Sequence, residues 1–253
     1  MRVAVWRARA PLPPADAPFA EIAAALAHVG GLELLRRARA IFGRDLALVS
    51  SFGTESAVLL DMVASVDPAL PVIFLDTGRL FPETLAYRDH LVALLGLRDV
   101  RTVCPDPADL ARLDPDGDLH RRDPDLCCHL RKTEPLDAAL AGIRAWITGR
   151  KRYQGGLRRT LPPVERDPAR GIVRLNPLAT WTPEEVRLYR RLRGLPPHPL
   201  EIRGYASVGC APCTTPVRPG EPPRAGRWRG LDKSECGIHL ARTPARVSRP
   251  GPG

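Results

Sequence analysis

Lysine is scarce in this chain: Lys132, Lys151 and Lys233 are three of its 38 cationic side chains, and the rest are arginine. The formal charge of +10 is therefore carried almost wholly by planar guanidinium groups, which match the oxygens of carboxylate, phosphate and sulfate two at a time. Two partner classes follow, a small anionic substrate or nucleic acid. Part of the excess is compositional, because Ala, Arg, Pro and Leu abound throughout. No apolar run is long enough to span a bilayer as a helix, so no membrane partner is expected. The stretch Met1-Arg2-Val3-Ala4-Val5-Trp6-Arg7 lacks the apolar core of a secretory signal, and a cytoplasmic location is expected. Internal repeats are absent, which leaves one large domain or two small ones for 253 residues. The apolar fraction of 44% and charged fraction of 26% are those of an ordinary globular protein.

What is present in quantity is thiol chemistry. In a reducing compartment, six cysteines point to metal ligands or catalysts rather than disulfides. Lys233-Ser234-Glu235-Cys236-Gly237-Ile238-His239 shows no apolar periodicity and sets one thiol among a Lys, a Glu and a His. Nearby cations such as Lys233 or His239 lower a thiol's pKa and make it a nucleophile. The plain alternative is a buried structural cysteine.

From Phe19 to Arg39, apolar residues recur at helical spacing and break at Gly30-Gly31, predicting two short helices. Leu46–Ser50 reads as a strand, Ser51-Phe52-Gly53-Thr54-Glu55-Ser56 as a loop, and Ala57–Val66 as a helix. Strand, Ser/Gly loop and helix in that order can cradle a phosphate on loop amides and a helix N-terminus, or simply form a tight turn. Val72–Leu75 is a second strand ending at Asp76-Thr77-Gly78, and Pro82 opens a helix to about Leu95. Val100–Val103 is a third strand, with Cys104 expected to be small and buried at its end. Asp106–Asp125 reads as a loop, Thr133–Ala141 as a helix, and Ala145–Thr148 as a fourth strand running into the basic loop Gly149–Arg159. Ile172–Leu175 is a short strand. Thr182, Pro183 and Glu185 form a capping box for a helix to about Arg193. Strands alternating with helices predict an α/β fold, a parallel sheet flanked by helices with ligands outside the strands' C-terminal ends.

Cys127-Cys128 and Cys210-Ala211-Pro212-Cys213 supply four candidate ligands in two close pairs. Zinc and iron–sulfur clusters both accept four cysteines. Adjacent cysteines diverge, which is awkward for one tetrahedral ion and easier for a cluster, whose iron corners lie further apart. Four unrelated thiols remain the alternative.

Six ordered motifs now carry a resemblance. They are the Ser-Phe-Gly loop, Leu75-Asp76-Thr77-Gly78-Arg79-Leu80-Phe81-Pro82-Glu83-Thr84, Cys127-Cys128 with Arg131-Lys132 and Glu134-Pro135-Leu136, Gly209-Cys210-Ala211-Pro212-Cys213-Thr214, Arg224-Ala225-Gly226-Arg227-Trp228, and Lys233–His239. Over roughly Leu46 to Leu240 the chain resembles the assimilatory adenylyl-sulfate (APS) reductases of the phosphoadenylyl-sulfate (PAPS)/APS reductase family, with their PP-loop type of nucleotide fold. The resemblance implies a 4Fe–4S cluster on Cys127, Cys128, Cys210 and Cys213. It implies that the Cys236 thiolate attacks the sulfur of APS, releases AMP and leaves an S-sulfonated cysteine. Thioredoxin or a glutaredoxin-type dithiol then releases sulfite, in assimilatory sulfate reduction and cysteine biosynthesis. Carried over by position, Ser50, Ser51 and Gly53 line the nucleotide site and Leu75 meets the adenine. Gly149 and Arg159 contact the nucleotide, and Arg224 and Arg227 the sulfate or phosphate. Lys132 couples cluster to substrate, and His239 joins the substrate-binding set.

Two departures stand out: Gly155-Gly156-Leu157 replaces a Ser-Pro-containing stretch, and Tyr153 stands where an acidic residue is common. The expected organisation is an arm at 1–18, an α/β reductase domain with the cluster cysteines at 19–215, a segment with the catalytic cysteine at 216–242, and a disordered tail at 243–253. APS and a dithiol reductant are the expected partners, a homo-oligomer is allowed, and nucleic acid is not expected. The rivals are a PAPS reductase, a tRNA-thiolating ATP pyrophosphatase of the same fold, and a zinc module that binds nucleic acid. The second usually has Ser-Gly-Gly-x-Asp-Ser, where this chain has Phe52 and Glu55. The third leaves Asp76-Thr77-Gly78 and Lys233–His239 unexplained.

Overall fold

A computed structural model describes residues 11–231 and 233–240. The tail at 243–253 and the first ten residues of the arm lie outside the described residues. The sheet is assembled from β1 (Leu46–Ser50), β2 (Val72–Leu75), β3 (Val100–Val103), β4 (Ala145–Ile147), β5 (Val164–Arg166) and β6 (Val173–Leu175), in the order β3-β2-β1-β4-β6-β5. All pairings are parallel except β5 against β6. The parallel α/β sheet expected from the strand–helix alternation is thus present. The short edge strand β5 was not expected, since three residues carry no readable periodicity.

Successive strand residues point to opposite faces, and both faces are covered. Leu46, Leu48, Ala145 and Ile147 pack under α1 (Phe19–Leu26), α2 (Gly31–Phe42) and α3 (Ser56–Val66). Ala47, Ile73 and Trp146 pack against Leu136 and Leu140 of the segment around α8 (Glu134–Ala139). Pro82 opens α4 (Pro82–Leu95), which ends where Gly96 turns left-handed at φ 62°. The capping box of α9 (Pro183–Leu192) is formed as read, with Glu185 N donating to Thr182 Oγ1 at 3.2 Å and Thr182 N to Glu185 Oε2 at 2.7 Å.

Two local expectations are corrected. Asp106–Asp125 is not a loop but holds α5 (Pro107–Leu113) and α6 (Leu119–Arg122), and leads into α7 (Pro124–Cys128). Asp106 and Asp123 cap α5 and α7 with their side chains, so the Asp/Pro pairs that resembled loop chemistry are helix starts. Cys104 is exposed, because β3 is an edge strand and the chain leaves the sheet there.

β1 lies between β2 and β4; the chain leaves it first toward β2 and β3 and returns on its other side as β4. That reversal opens a crevice at the C-terminal ends of β1 and β4, where ligands of such sheets bind.

Candidate functional site

The crevice is a cavity lined by residues at or just past the strand ends, among them Ser50, Ser51, Gly53, Leu75 and Gly149. Phe52 holds a positive φ of 47°, unusual for a bulky residue. Its ring is fully buried and meets Phe74 edge-on at 5.4 Å, which offsets the strain. The loop thus takes at Phe52 a left-handed turn of the kind glycine adopts freely.

Glu55, at the entry to α3, accepts from Lys151 Nζ at 3.0 Å, Gln154 Nε2 at 3.0 Å and the Tyr153 hydroxyl. Burial raises the Glu55 pKa, but Lys151 and these hydrogen bonds outweigh it and hold the carboxyl below its ordinary value. Tyr153 is therefore no defect: a second carboxylate there would face Glu55, whereas the phenol donates to it.

On the other wall Arg158 grips Glu235 through two bonds of 2.6 and 2.7 Å, and Arg224 reaches the same carboxylate at 3.3 Å. Arg159 is exposed and does not line the cavity; its neighbour Arg158 does. The turn Gly156–Arg158 aims the earlier arginine inward. Arg227 also lines the cavity, and its buried Nε has no hydrogen-bond partner within the described residues. It arrives there because Gly226 allows a close pairing. A Cβ on that residue would sit 2.0 Å from the Thr215 carbonyl oxygen, to which no L side chain can adapt.

Lys233–His239 looked unlike core, yet Glu235 and Cys236 are buried. The cations expected to act on Cys236 are also reassigned. Lys233 is drawn to Asp125 and lies over the Trp228 ring at 5.6 Å. His239 is kept neutral, by burial first and then by Arg150, Arg158, Arg174 and Arg224 around it. Cys236 is pushed well below a free thiol by the Cys128 thiol that donates to it; burial opposes this, and the Lys132 ammonium adds to it. Burial pulls Lys132 down, but negative charge on the sulfurs of Cys210, Cys236 and Cys128 outweighs burial and keeps it protonated.

Cys127 and Cys128 close α7, while Cys210 precedes and Cys213 ends one 3-10 turn, Ala211–Cys213. The loop after β2 brings the second pair in: Ala211 N donates to the Arg79 carbonyl at 2.7 Å, and Thr77 Oγ1 lies 3.3 Å from Cys210 Sγ. Burial pushes the Cys127 thiol up to about 11; Arg131 opposes this and Cys210 and Cys213 reinforce it, so the two pairs share one electrostatic neighbourhood. Among the described residues, no three His, Cys, Asp or Glu side chains converge as they would around a single ion.

Arg131 ties the β2 loop to the cysteine helix, donating to the Thr77 carbonyl at 2.8 Å and to Asp114 Oδ2 at 2.5 Å. Both side chains of the Arg131–Asp114 pair are buried, at 6% and 1% exposure. Asp114→Ala would strand a buried guanidinium and is expected to lose about 3–5 kcal/mol in urea unfolding. Burial raises the Asp114 pKa, but Arg131 and the Leu119 amide lower it further, so the folded value lies below the ordinary one. The pair's contribution is thus full above the unfolded carboxyl pKa of about 4 and is lost as pH falls through the folded value. Wild type should lose this increment on acidification, and the alanine variant should not.

Of the expected site residues, Ser50, Ser51, Gly53, Leu75, Lys132, Gly149, Cys210, Arg224, Arg227, Cys236 and His239 line the one cavity. Cys127, Cys128 and Cys213 are not among its lining residues. Lys151, Arg158 and Trp146 also line it and were not singled out as site residues. Lysine's rarity was the available signal for Lys151: two of the three lysines line the cavity, and the third packs on Trp228, which lines it too. No helix among the described residues is long and apolar enough to cross a membrane.

Residues 45–216 match the phosphoadenosine phosphosulfate reductase domain. The chain is 53% identical over 215 residues to an adenosine 5'-phosphosulfate reductase of Mesorhizobium japonicum, covering 85% of this chain and 84% of the relative. It is 46% identical over 209 residues to a phosphoadenosine 5'-phosphosulfate reductase of Gloeobacter violaceus, covering 81% of this chain and 87% of the relative. Among solved structures, the PAPS reductase of Candida auris superposes with a TM-score of 0.66 at 27% identity, covering 78% of this chain and 96% of that one. The FMN adenylyltransferase of Candida glabrata, at 14% identity, 84% of this chain, 74% of its own and a TM-score of 0.54, shares the fold alone. On these matches, the chain belongs to the PAPS/APS reductase family and is a reductase acting on sulfur, with relatives called adenosine 5'-phosphosulfate reductase among its most similar.

Proposed function

We propose that the chain reduces adenylyl sulfate to sulfite and AMP through an S-sulfonate on Cys236. The observation that carries this is the gathering of the Cys236 thiol, Lys132, Arg224 and Arg227 around one crevice at the C-terminal ends of the strands. The Cys236 thiolate forms a bond to the sulfur of the sulfate. The bond from that sulfur to the bridging phosphate oxygen breaks, and AMP leaves with the electron pair. Arg224, Arg227 and Lys132 stabilise charge on the transferring and leaving groups. A dithiol of the thioredoxin or glutaredoxin type then attacks Cys236 Sγ; sulfite leaves with the sulfur–sulfur electron pair and a mixed disulfide remains, which the second thiol of the dithiol attacks, closing its own disulfide and releasing the Cys236 thiolate.

Cys127, Cys128, Cys210 and Cys213 would hold the 4Fe–4S cluster. The donor set fits: Cys127 feels both Cys210 and Cys213, Cys128 is its neighbour at the same helix end, and four cysteine thiolates are the ligand set such a cluster takes. When bound, the cluster would supply a compact charge beside Lys132, the residue that faces both thiols and cavity. Ser50, Ser51, Gly53 and Gly149 would line the nucleotide with Leu75 at the adenine, and Arg158 takes the place first expected of Arg159.

Sulfite release from APS and from PAPS, measured side by side with anaerobically purified protein and thioredoxin, tests the reading. A preference for APS of at least about a hundredfold is expected. Equal use, or a preference for PAPS, would keep the family and detach the cysteines from nucleotide choice. No sulfite from either would overturn the proposal and favour the tRNA-thiolation rival.

A further inference from the structure

The segment that carries Cys236 is fastened by more than its thiol. Gly237–His239 form a single 3-10 turn, in which His239 N donates to the Cys236 carbonyl at 3.0 Å. A turn this tight passes the position of its last residue back to its first. The His239 ring lies on Trp146, with ring planes 6° apart and centroids at 5.8 Å. That platform is rigid: Trp146 is fully buried on β4, and its Nε1 donates at 2.9 Å to Asp167, which is fully buried as well. Arg170 and Arg174 lie over the same indole at 5.6 and 5.0 Å, and they also donate to the carbonyls of Ile238 and His239 at 3.2 and 3.4 Å. The imidazole Nδ1 is buried and has no hydrogen-bond partner within the described residues. The face of the ring therefore sets its place.

We infer that Trp146 and His239 form an aromatic anchor that sets the position of the Cys236 thiol, which makes His239 a positioning residue. Its importance to turnover rests on the reading of Cys236 as the nucleophile; the anchor itself does not.

The test is alkylation of Cys236 by iodoacetamide in the anaerobically purified enzyme, followed by peptide mapping. Cys104, exposed in the same chain, serves as the internal reference. Relative to Cys104, His239→Ala should raise the alkylation rate of Cys236 about tenfold, the scale of a lost aromatic pair together with its buried area. His239→Phe, which keeps the stack and removes both ring nitrogens, should restore protection to within about threefold of wild type. The rate of Cys236 sulfonation at saturating APS should fall in the alanine variant and recover in the phenylalanine variant. A folded His239→Phe protein as exposed as His239→Ala would overturn the anchor and assign the role to the ring nitrogens. Unchanged protection in His239→Ala would overturn it as well. If wild type is not sulfonated at all, the functional reading fails, while the alkylation rates still decide the anchor.

Discussion

Cys236→Ser is expected to abolish labelling of the protein by sulfur-labelled APS, a loss of about 10⁴-fold or more. Serine keeps the size and the backbone of the turn but offers a hydroxyl that is protonated at neutral pH, where the wild-type thiol has the Lys132 ammonium beside it to favour the ionised form. The cluster absorption should persist, since Cys236 is outside the proposed ligand set. Thermal unfolding should move little, because Glu235, Ile238 and His239 keep their tethers to Arg158, Arg170 and Trp146. A labelled adduct that survives in the serine variant, mapped to another cysteine, would reassign the nucleophile. Exposed Cys104 is the control for indiscriminate labelling.

Lys132→Ala is expected to lower turnover by about 10²–10³-fold, the usual loss when one preorganised charge is removed from a developing oxyanion. The loss should fall mostly on kcat, because Arg224 and Arg227 remain to bind the ground-state anion. Lys132→Arg should not restore it. A planar fork is larger and differently directed than an ammonium, and the site already has arginine where forks are used. Cluster content should be retained in both variants. Unchanged turnover in Lys132→Ala would remove Lys132 from the chemistry and leave it a counter-charge to Cys128 and Cys210. Loss of the cluster would instead assign it a part in assembly.

The strands and main helices were legible because each is reported by neighbours in the chain. Leu46–Ser50 and Val72–Leu75 are apolar runs between turn residues, and Thr182, Pro183 and Glu185 spell a helix start with their own side chains. Residues whose roles come from partners far along the chain were harder to read. Arg158 and Arg159 are equivalent as letters, and only the turn Gly156–Arg158 and the grip on Glu235, 77 positions away, tell them apart. Lys132, Lys233 and His239 were all cations on paper. Burial among arginines neutralises His239, Asp125 draws off Lys233, and Lys132 is left to act on Cys236.

By itself the sequence determined the thiol inventory, the strand–helix alternation and the order of six motifs, since composition and local periodicity are properties of a chain read in order. Which cation faces which sulfur, that Tyr153 answers Glu55, and that His239 lies flat on Trp146 were decided only by the tertiary structure. The physical reason is that pKa and contact depend on distance and burial in space. These were set when β1 and β4 came side by side and the C-terminal segment packed across their ends.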